Sequence, residues 1–194
     1  MANGKQLEIR LAGSGGQGLI LAGIIMAEAA ILYDAKNAVQ TQSYGPEARG
    51  GASKSEVIIS EDAIDYPKCE QVDILLSLNQ KSLDKYLGDL KKNGVLIVDK
   101  DMCEVPTKGE YILFRIPFAV LAQEEIGKSF VANIIALGAI AGLTDCVTRA
   151  AIERAVMGRV PPGTEEINRK ALAVGFREAA VCRVDTPIDT FEIA

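Results

Sequence analysis

The 194-residue sequence contains no histidine. That absence removes Ser-His-Asp and Cys-His nucleophilic catalysis together with every histidine-ligated metal site. Cysteine is sparse and scattered: Cys69, Cys103, Cys146 and Cys182 form no C-x-x-C pair. Neither a zinc knuckle nor a cysteine-ligated iron–sulfur cluster is suggested, and buried free thiols are the expectation. Long apolar runs are missing too. The longest, Leu19 to Tyr33, is interrupted by Glu28 and falls short of the roughly 20 residues a membrane span needs; Val131 to Leu143 is shorter still. The N-terminal MANGKQLEIR lacks the apolar core of a signal peptide and moves straight into a strand, so a cytoplasmic protein without a membrane partner is expected. No block of like charge relieves the balance of 21 basic against 26 acidic residues, net −5. Binding to a nucleic-acid backbone is therefore not expected.

What is present is concentrated in Leu7 to Ala30, where a short apolar strand enters GSGGQG and continues into a long apolar helix. Gly13, Gly15 and Gly18 stand at G-x-G-x-x-G spacing. Gly13 lets the chain leave the strand, Gly15 allows close backbone approach by a ligand, and Gly18 lets the helix pack against the strand. The N–H groups at the helix start near Gln17 favour an anion such as a phosphate or carboxylate. Gly13, Gly15, Gly16, Gln17 and Gly18 are thus a candidate anion cradle; the plainer alternative is a tight strand-to-helix connection with nothing in it.

The remainder alternates strands and helices. Asn37 to Gln42 reads as a second strand, but Gln40 and Gln42 stand where a dinucleotide site wants an acidic residue, and Asp34 falls in the preceding turn. The next stretch, SYGPEARGGASKSEVIIS, carries Glu47 and Arg49 on a loop constrained by Pro46 and punctuated by Gly50 and Gly51. Arg49 can clamp a carboxylate or phosphate and Glu47 can orient it, or the two form an ordinary surface pair. A strand follows over Lys54 to Ile59. Val72 to Leu78, Gly94 to Val98 and Tyr111 to Ile116 read as further strands. An amphipathic helix is expected over Gln80 to Lys92, and Pro117 opens another running to Ile126. Asp99 either faces a ligand at the sheet edge or caps a turn. The last third is helical: a buried helix over Val131 to Leu143, in which Asn133 makes either an internal hydrogen bond or a ligand contact, then helices from Thr148 and Thr164. Residues 1–194 are expected to form a single domain, a Rossmann-like doubly wound α/β sheet with a helical C-terminal third. No self-sufficient catalytic set is visible, and no catalytic or metal-binding residue is assigned.

Two motifs taken together, GSGGQGL at Gly13 to Leu19 and QSYGPEARGG at Gln42 to Gly51, closely resemble the gamma subunit of 2-oxoacid:ferredoxin oxidoreductases. The resemblance covers nearly the whole chain, and the loop wording is most similar to chains of the 2-oxoglutarate enzyme. It implies a subunit of a complex that oxidatively decarboxylates a 2-oxoacid, the alternatives to 2-oxoglutarate being pyruvate, a branched-chain 2-oxoacid or indolepyruvate, forms an acyl-CoA and reduces ferredoxin. It implies that thiamine diphosphate, magnesium and iron–sulfur clusters lie in alpha, beta or delta partners, with no cofactor bound by this chain alone. The gamma domain is similar to domain III of single-chain pyruvate:ferredoxin oxidoreductases, which takes part in coenzyme A handling. By position, Gly13, Gly15, Gly16, Gln17 and Gly18 become the cradle and Glu47, Arg49, Gly50 and Gly51 the loop facing coenzyme A or the catalytic subunits. A stand-alone nucleotide-binding protein and a purely architectural subunit are the competing readings. A chain built for a complex exposes an apolar patch and can form a homodimer when isolated.

Overall fold

A computed structural model describes residues 6–43 and 52–185. Strands β1 (Gln6–Ser14), β2 (Asn37–Ser43), β3 (Ala52–Ser60), β4 (Val72–Ser77), β5 (Leu90–Asp99) and β6 (Tyr111–Ile116) form one sheet in the order β2-β3-β1-β4-β5-β6. Strands β1, β4, β5 and β6 run parallel, while β3 is antiparallel to both β1 and β2. Helices α1 (Leu19–Glu28), α2 (Gln80–Tyr86), α3 (Phe118–Leu121), α4 (Ala132–Thr144), α5 (Arg149–Arg159) and α6 (Glu165–Asp185) complete the fold. The doubly wound α/β architecture and its helical C-terminal third are as expected.

Strand periodicity divides the interior in two. Leu7, Ile9 and Leu11 of β1, Ile74 and Leu76 of β4, and Val95 and Ile97 of β5 point to the face covered by α1, α4, α5 and α6. Ala12, Leu75, Leu96 and Val98 alternate with them. They face a smaller core shared with Leu83 and Tyr86 of α2 and with Cys69, Cys103 and Val105. On the first face α4 and α6 approach closely. A Cβ at Gly175 would lie 2.1 Å from the Ile135 carbonyl oxygen, and one at Gly138 would lie 2.4 Å from that of Leu172.

Three segments differ from the sequence reading. The helix expected over Gln80 to Lys92 stops at Tyr86, followed by a 3₁₀ turn over Leu87–Asp89; Leu90 already pairs with Val72. Gly88 weakens the helix there, and the parallel ladder gives the following backbone its hydrogen-bond partners. The first helix does not continue regularly to Ala30 but passes into a π turn over Ala29–Tyr33, leaving Ile31 and Leu32 exposed. Finally, β3 takes the place beside β1 that the second strand of a dinucleotide fold occupies, so β2 is displaced to the sheet edge.

Candidate anion-binding site

The site is built where β1 ends. Gly16 and Gly18 adopt positive φ, 92° and 71°, a conformation open to glycine without Cβ strain. Gly15 and Gly16 are exposed. Close packing falls to different glycines than expected. A Cβ at Gly13 would meet Gln17 Oε1 at 2.3 Å and Leu19 Cδ1 at 2.8 Å, whereas one at Gly18 would meet Asn133 Nδ2 at 2.5 Å. Gly13 therefore brings the strand end against the helix start, and Gly18 brings α1 against α4.

Internal hydrogen bonds shape the turn. The Ser14 N–H donates to Gln17 Oε1 at 2.6 Å, and the Gln17 N–H donates to the Ser14 carbonyl at 3.3 Å. Asn79, which caps α2 through Ser82, donates from Nδ2 to Ser14 Oγ at 2.7 Å. The first backbone bond of α1 runs from Ala22 to the Gly18 carbonyl at 3.0 Å. No side chain caps α1, and no acidic residue lies in its first turn. Among the described residues, neither a cap side chain nor a first-turn carboxylate meets the N–H groups an α-helix leaves unpaired at its start, where the dipole is positive.

Glu47, Arg49, Gly50 and Gly51 lie outside the described residues. Their flanks are described: Ser43 pairs with Lys54, and Ala52 pairs with Ser14. Ala52 therefore adjoins the end of β1 that opens the glycine turn, and Ser43 lies two strands away at the same edge of the sheet. Gln40, one of the residues standing in place of a ribose-binding acid, donates to Ser55 Oγ at 2.9 Å. Asp34 accepts from the N–H and Oγ of Thr148, at 2.7 and 2.6 Å; it anchors the start of α5 and is not placed at the turn.

Other polar residues resolve into structural roles. Asp99 accepts from the N–H groups of Asp101 at 3.1 Å and Ala119 at 2.9 Å, so it caps the turn and the start of α3. Burial raises its pKa against these hydrogen bonds. Burial pushes the Cys69 thiol up to about 12 and the Cys103 thiol up to about 11. Protonated thiols in these positions are poor nucleophiles. Asn133 makes the internal bond weighed from sequence: its Nδ2 donates to the Gly18 carbonyl at 3.1 Å. Ser14 and Asn79 were not singled out, because neither residue type nor spacing reveals a contact made across 65 positions.

An exposed glycine turn stands at the C-terminal edge of a doubly wound α/β sheet and opens a helix without a side-chain cap, the place where such sheets favour ligands. The family model described as pyruvate ferredoxin/flavodoxin oxidoreductase matches residues 8–178, and the chain belongs to that family. Within it the chain is of the gamma-subunit type. It is similar to 2-oxoglutarate synthase subunit KorC of Methanocaldococcus jannaschii, 52% identical over 174 residues covering 89% of this chain and 93% of the relative. The crystal structure of a keto/oxoacid ferredoxin oxidoreductase gamma subunit from Geobacter sulfurreducens is 52% identical, with a TM-score of 0.82 over 90% of this chain and 99% of that one. The fold is also that of part of 2-oxoglutarate:ferredoxin oxidoreductase from Magnetococcus marinus, TM-score 0.81 at 20% identity, covering 91% of this chain and 31% of the longer one. No helix among the described residues is long and apolar enough to cross a membrane.

Proposed function

We propose that this chain is the gamma subunit of a cytoplasmic 2-oxoglutarate:ferredoxin oxidoreductase and that its glycine turn binds a phosphate of coenzyme A. The observation that carries the coenzyme A role is the uncapped, acid-free start of α1 behind two left-handed glycines. Coenzyme A presents a diphosphate and a 3′-phosphate, the anions such a helix end favours. The subunit assignment is supported by 52% identity to the KorC relative. The Magnetococcus marinus structure is described with 2-oxoglutarate, coenzyme A and succinyl-CoA bound, which supports the substrate class.

In this reading the chain's own chemistry is binding and orientation. Backbone N–H groups at the start of α1 neutralise a phosphate, Gln17 and Asn79 hold Ser14 and the turn in shape, and Arg49 pairs with a second phosphate or a partner carboxylate. Decarboxylation and electron transfer belong to alpha and beta partners, with or without a delta chain, carrying thiamine diphosphate, magnesium and iron–sulfur clusters. In Magnetococcus marinus the matching domain is 31% of a longer chain, which supports close partners for this domain.

The test is anaerobic purification of the native complex followed by an assay of coenzyme A-dependent ferredoxin reduction, first with 2-oxoglutarate and then with pyruvate and branched-chain 2-oxoacids. Turnover with 2-oxoglutarate supports the reading. In the assembled enzyme, Arg49→Ala is expected to raise the KM for coenzyme A by about tenfold, the equivalent of one charge-assisted hydrogen bond. Loss of assembly with an unchanged KM in the residual complex would assign Arg49 to an interface. Isolation without partners and tight nucleotide binding would overturn the whole assignment.

A further inference from the structure

Asn133 lies in the first turn of α4 and is 4% exposed. Its carboxamide is used on one side only. Nδ2 donates to the Gly18 carbonyl at 3.1 Å, while Oδ1 is buried and meets no donor among the described residues. The contact with Gly18 leaves no space between the two residues: a Cβ on Gly18 would approach Nδ2 to 2.5 Å and Cγ to 3.3 Å. Gly18 is also the left-handed cap of α1. One side chain therefore sets both the position of that cap and the distance between α1 and α4.

Stability alone does not explain asparagine here. The Gly18 carbonyl already accepts from the Ala22 N–H at 3.0 Å, so removing Nδ2 would not orphan it. A buried acceptor without a donor is a cost to the fold, and leucine has the same branching with no polar atom to satisfy. Leu137, one turn along the same side of α4, is buried. The fold thus retains a polar side chain that a hydrocarbon could replace, where α4 meets the cap of α1.

We propose that Asn133 is a positioning residue, holding Gly18 so that the N–H groups at the start of α1 are aimed at the phosphate of coenzyme A. This rests on the coenzyme A reading of the turn. In such an arrangement the precision of the N–H groups matters more than their number, since an oriented donor is effective only at hydrogen-bond distance and angle. Replacing the polar tie with an apolar contact leaves the helix packed but releases the cap.

The assembled complex carrying Asn133→Leu tests this. The expected result is a KM for coenzyme A raised about tenfold, the value of one positioning hydrogen bond, with kcat at saturating coenzyme A and the KM for 2-oxoglutarate unchanged. Thermal stability of the complex should be equal to that of the wild type or higher. Lower stability with an unchanged KM for coenzyme A would overturn the proposal and make Asn133 structural. Should Asn133→Leu fail to assemble, Asn133→Asp keeps the shape but cannot donate to Gly18; an unchanged KM there overturns the proposal equally. Gly15→Glu, which places a carboxylate at the exposed turn, separates the two levels. A raised KM with Gly15→Glu but not with Asn133→Leu leaves the turn as the phosphate site and removes Asn133 from it. No effect from either variant removes the coenzyme A reading itself.

Discussion

The two faces of the sheet are held by different physics. On one, α1, α4, α5 and α6 cover an extended set of buried Ile, Leu, Val and Ala side chains, and glycines bring α4 and α6 into backbone contact. On the other, a short α2 and the connections around Cys69 and Val105 cover a smaller core. That second face also buries Arg10 at 2% exposure and Glu56 at 7%. Arg10 donates to Glu56 Oε1 from Nε at 2.8 Å, pairs with Asp89, reaches the Cys69 carbonyl at 3.4 Å and lies 5.1 Å from the Tyr86 ring centre. Apolar burial is strong but undirected. A thin cover gains less from it, and here directional pairs join β1, β3, the turn after α2 and the Cys69 segment at defined positions. The comparison teaches that the buried Arg10 charge is accommodated by several partners converging on it.

The largest effect should come from removing that convergence. Arg10→Met leaves the Glu56 carboxylate buried with Lys54, 2.8 Å away, as its remaining cation, and deprives the Cys69 carbonyl of its donor. A loss of about 3–5 kcal/mol is expected in chemical denaturation, as for a broken buried pair. The double variant Arg10→Met with Glu56→Leu should recover much of it, because no charge is then left unpaired. A single-variant loss under about 1 kcal/mol would show that the pair contributes nothing beyond an exposed one.

The opposite face is broken by volume. Gly175→Ala directs a Cβ to within 2.1 Å of the Ile135 carbonyl and 2.8 Å of the Ala139 N–H, and backbone cannot move aside as a flexible side chain can. The expected cost is about 1–3 kcal/mol, reduced by the better helix propensity of alanine, roughly 1 kcal/mol. A melting temperature at or above that of the wild type would show that α4 and α6 have room to separate.

This contrast explains which parts of the molecule were legible in the sequence. Continuous apolar strands such as VDILLS, and a helix apolar on every side such as ANIIALGAIAGLT, mark elements buried on both faces. Their limits were read within one or two residues, and Tyr111–Ile116 matches in full. The glycine turn was legible as a shape because its glycines are local. The stretch from Leu87 to Lys92 was misread because LGDLKK continues a helical pattern, while Val72, the ladder partner that makes Leu90 the start of a strand, stands elsewhere in the chain. The insertion of β3 between β1 and β2 has no local signature either. Most telling are Arg10 and Asn133: nothing beside Arg10 announces Glu56, 46 positions away, and nothing beside Asn133 announces Gly18, 115 positions away. Polar contacts across the fold are where pattern reading ends.

The smallest expected effect sharpens the comparison through pH. Glu8 shares the charged face; its Oε2 is buried without a partner among the described residues, and its pKa is raised from the ordinary 4.5, chiefly by desolvation, against the pull of Lys91 and with the repulsion of Asp73 and Glu56. An acid whose folded pKa lies above its unfolded one holds its proton more tightly in the native state. Its favourable contribution is therefore full at pH below 4.5 and is lost as pH rises through the elevated folded value, after which the charged form is a burden. Glu8→Gln should consequently match the wild type near pH 4 and exceed it at pH 7 by a few tenths of a kcal/mol to about 1 kcal/mol, the range of a partly exposed charge. The cost of Gly175→Ala, a steric effect among uncharged groups, should stay constant over the same interval. Denaturation curves for both variants at pH 4 and pH 7 check this. A Glu8→Gln difference that does not move with pH would mean that Glu8 is solvated in the folded chain, and the contrast between the faces would then rest on the Arg10 pairs alone.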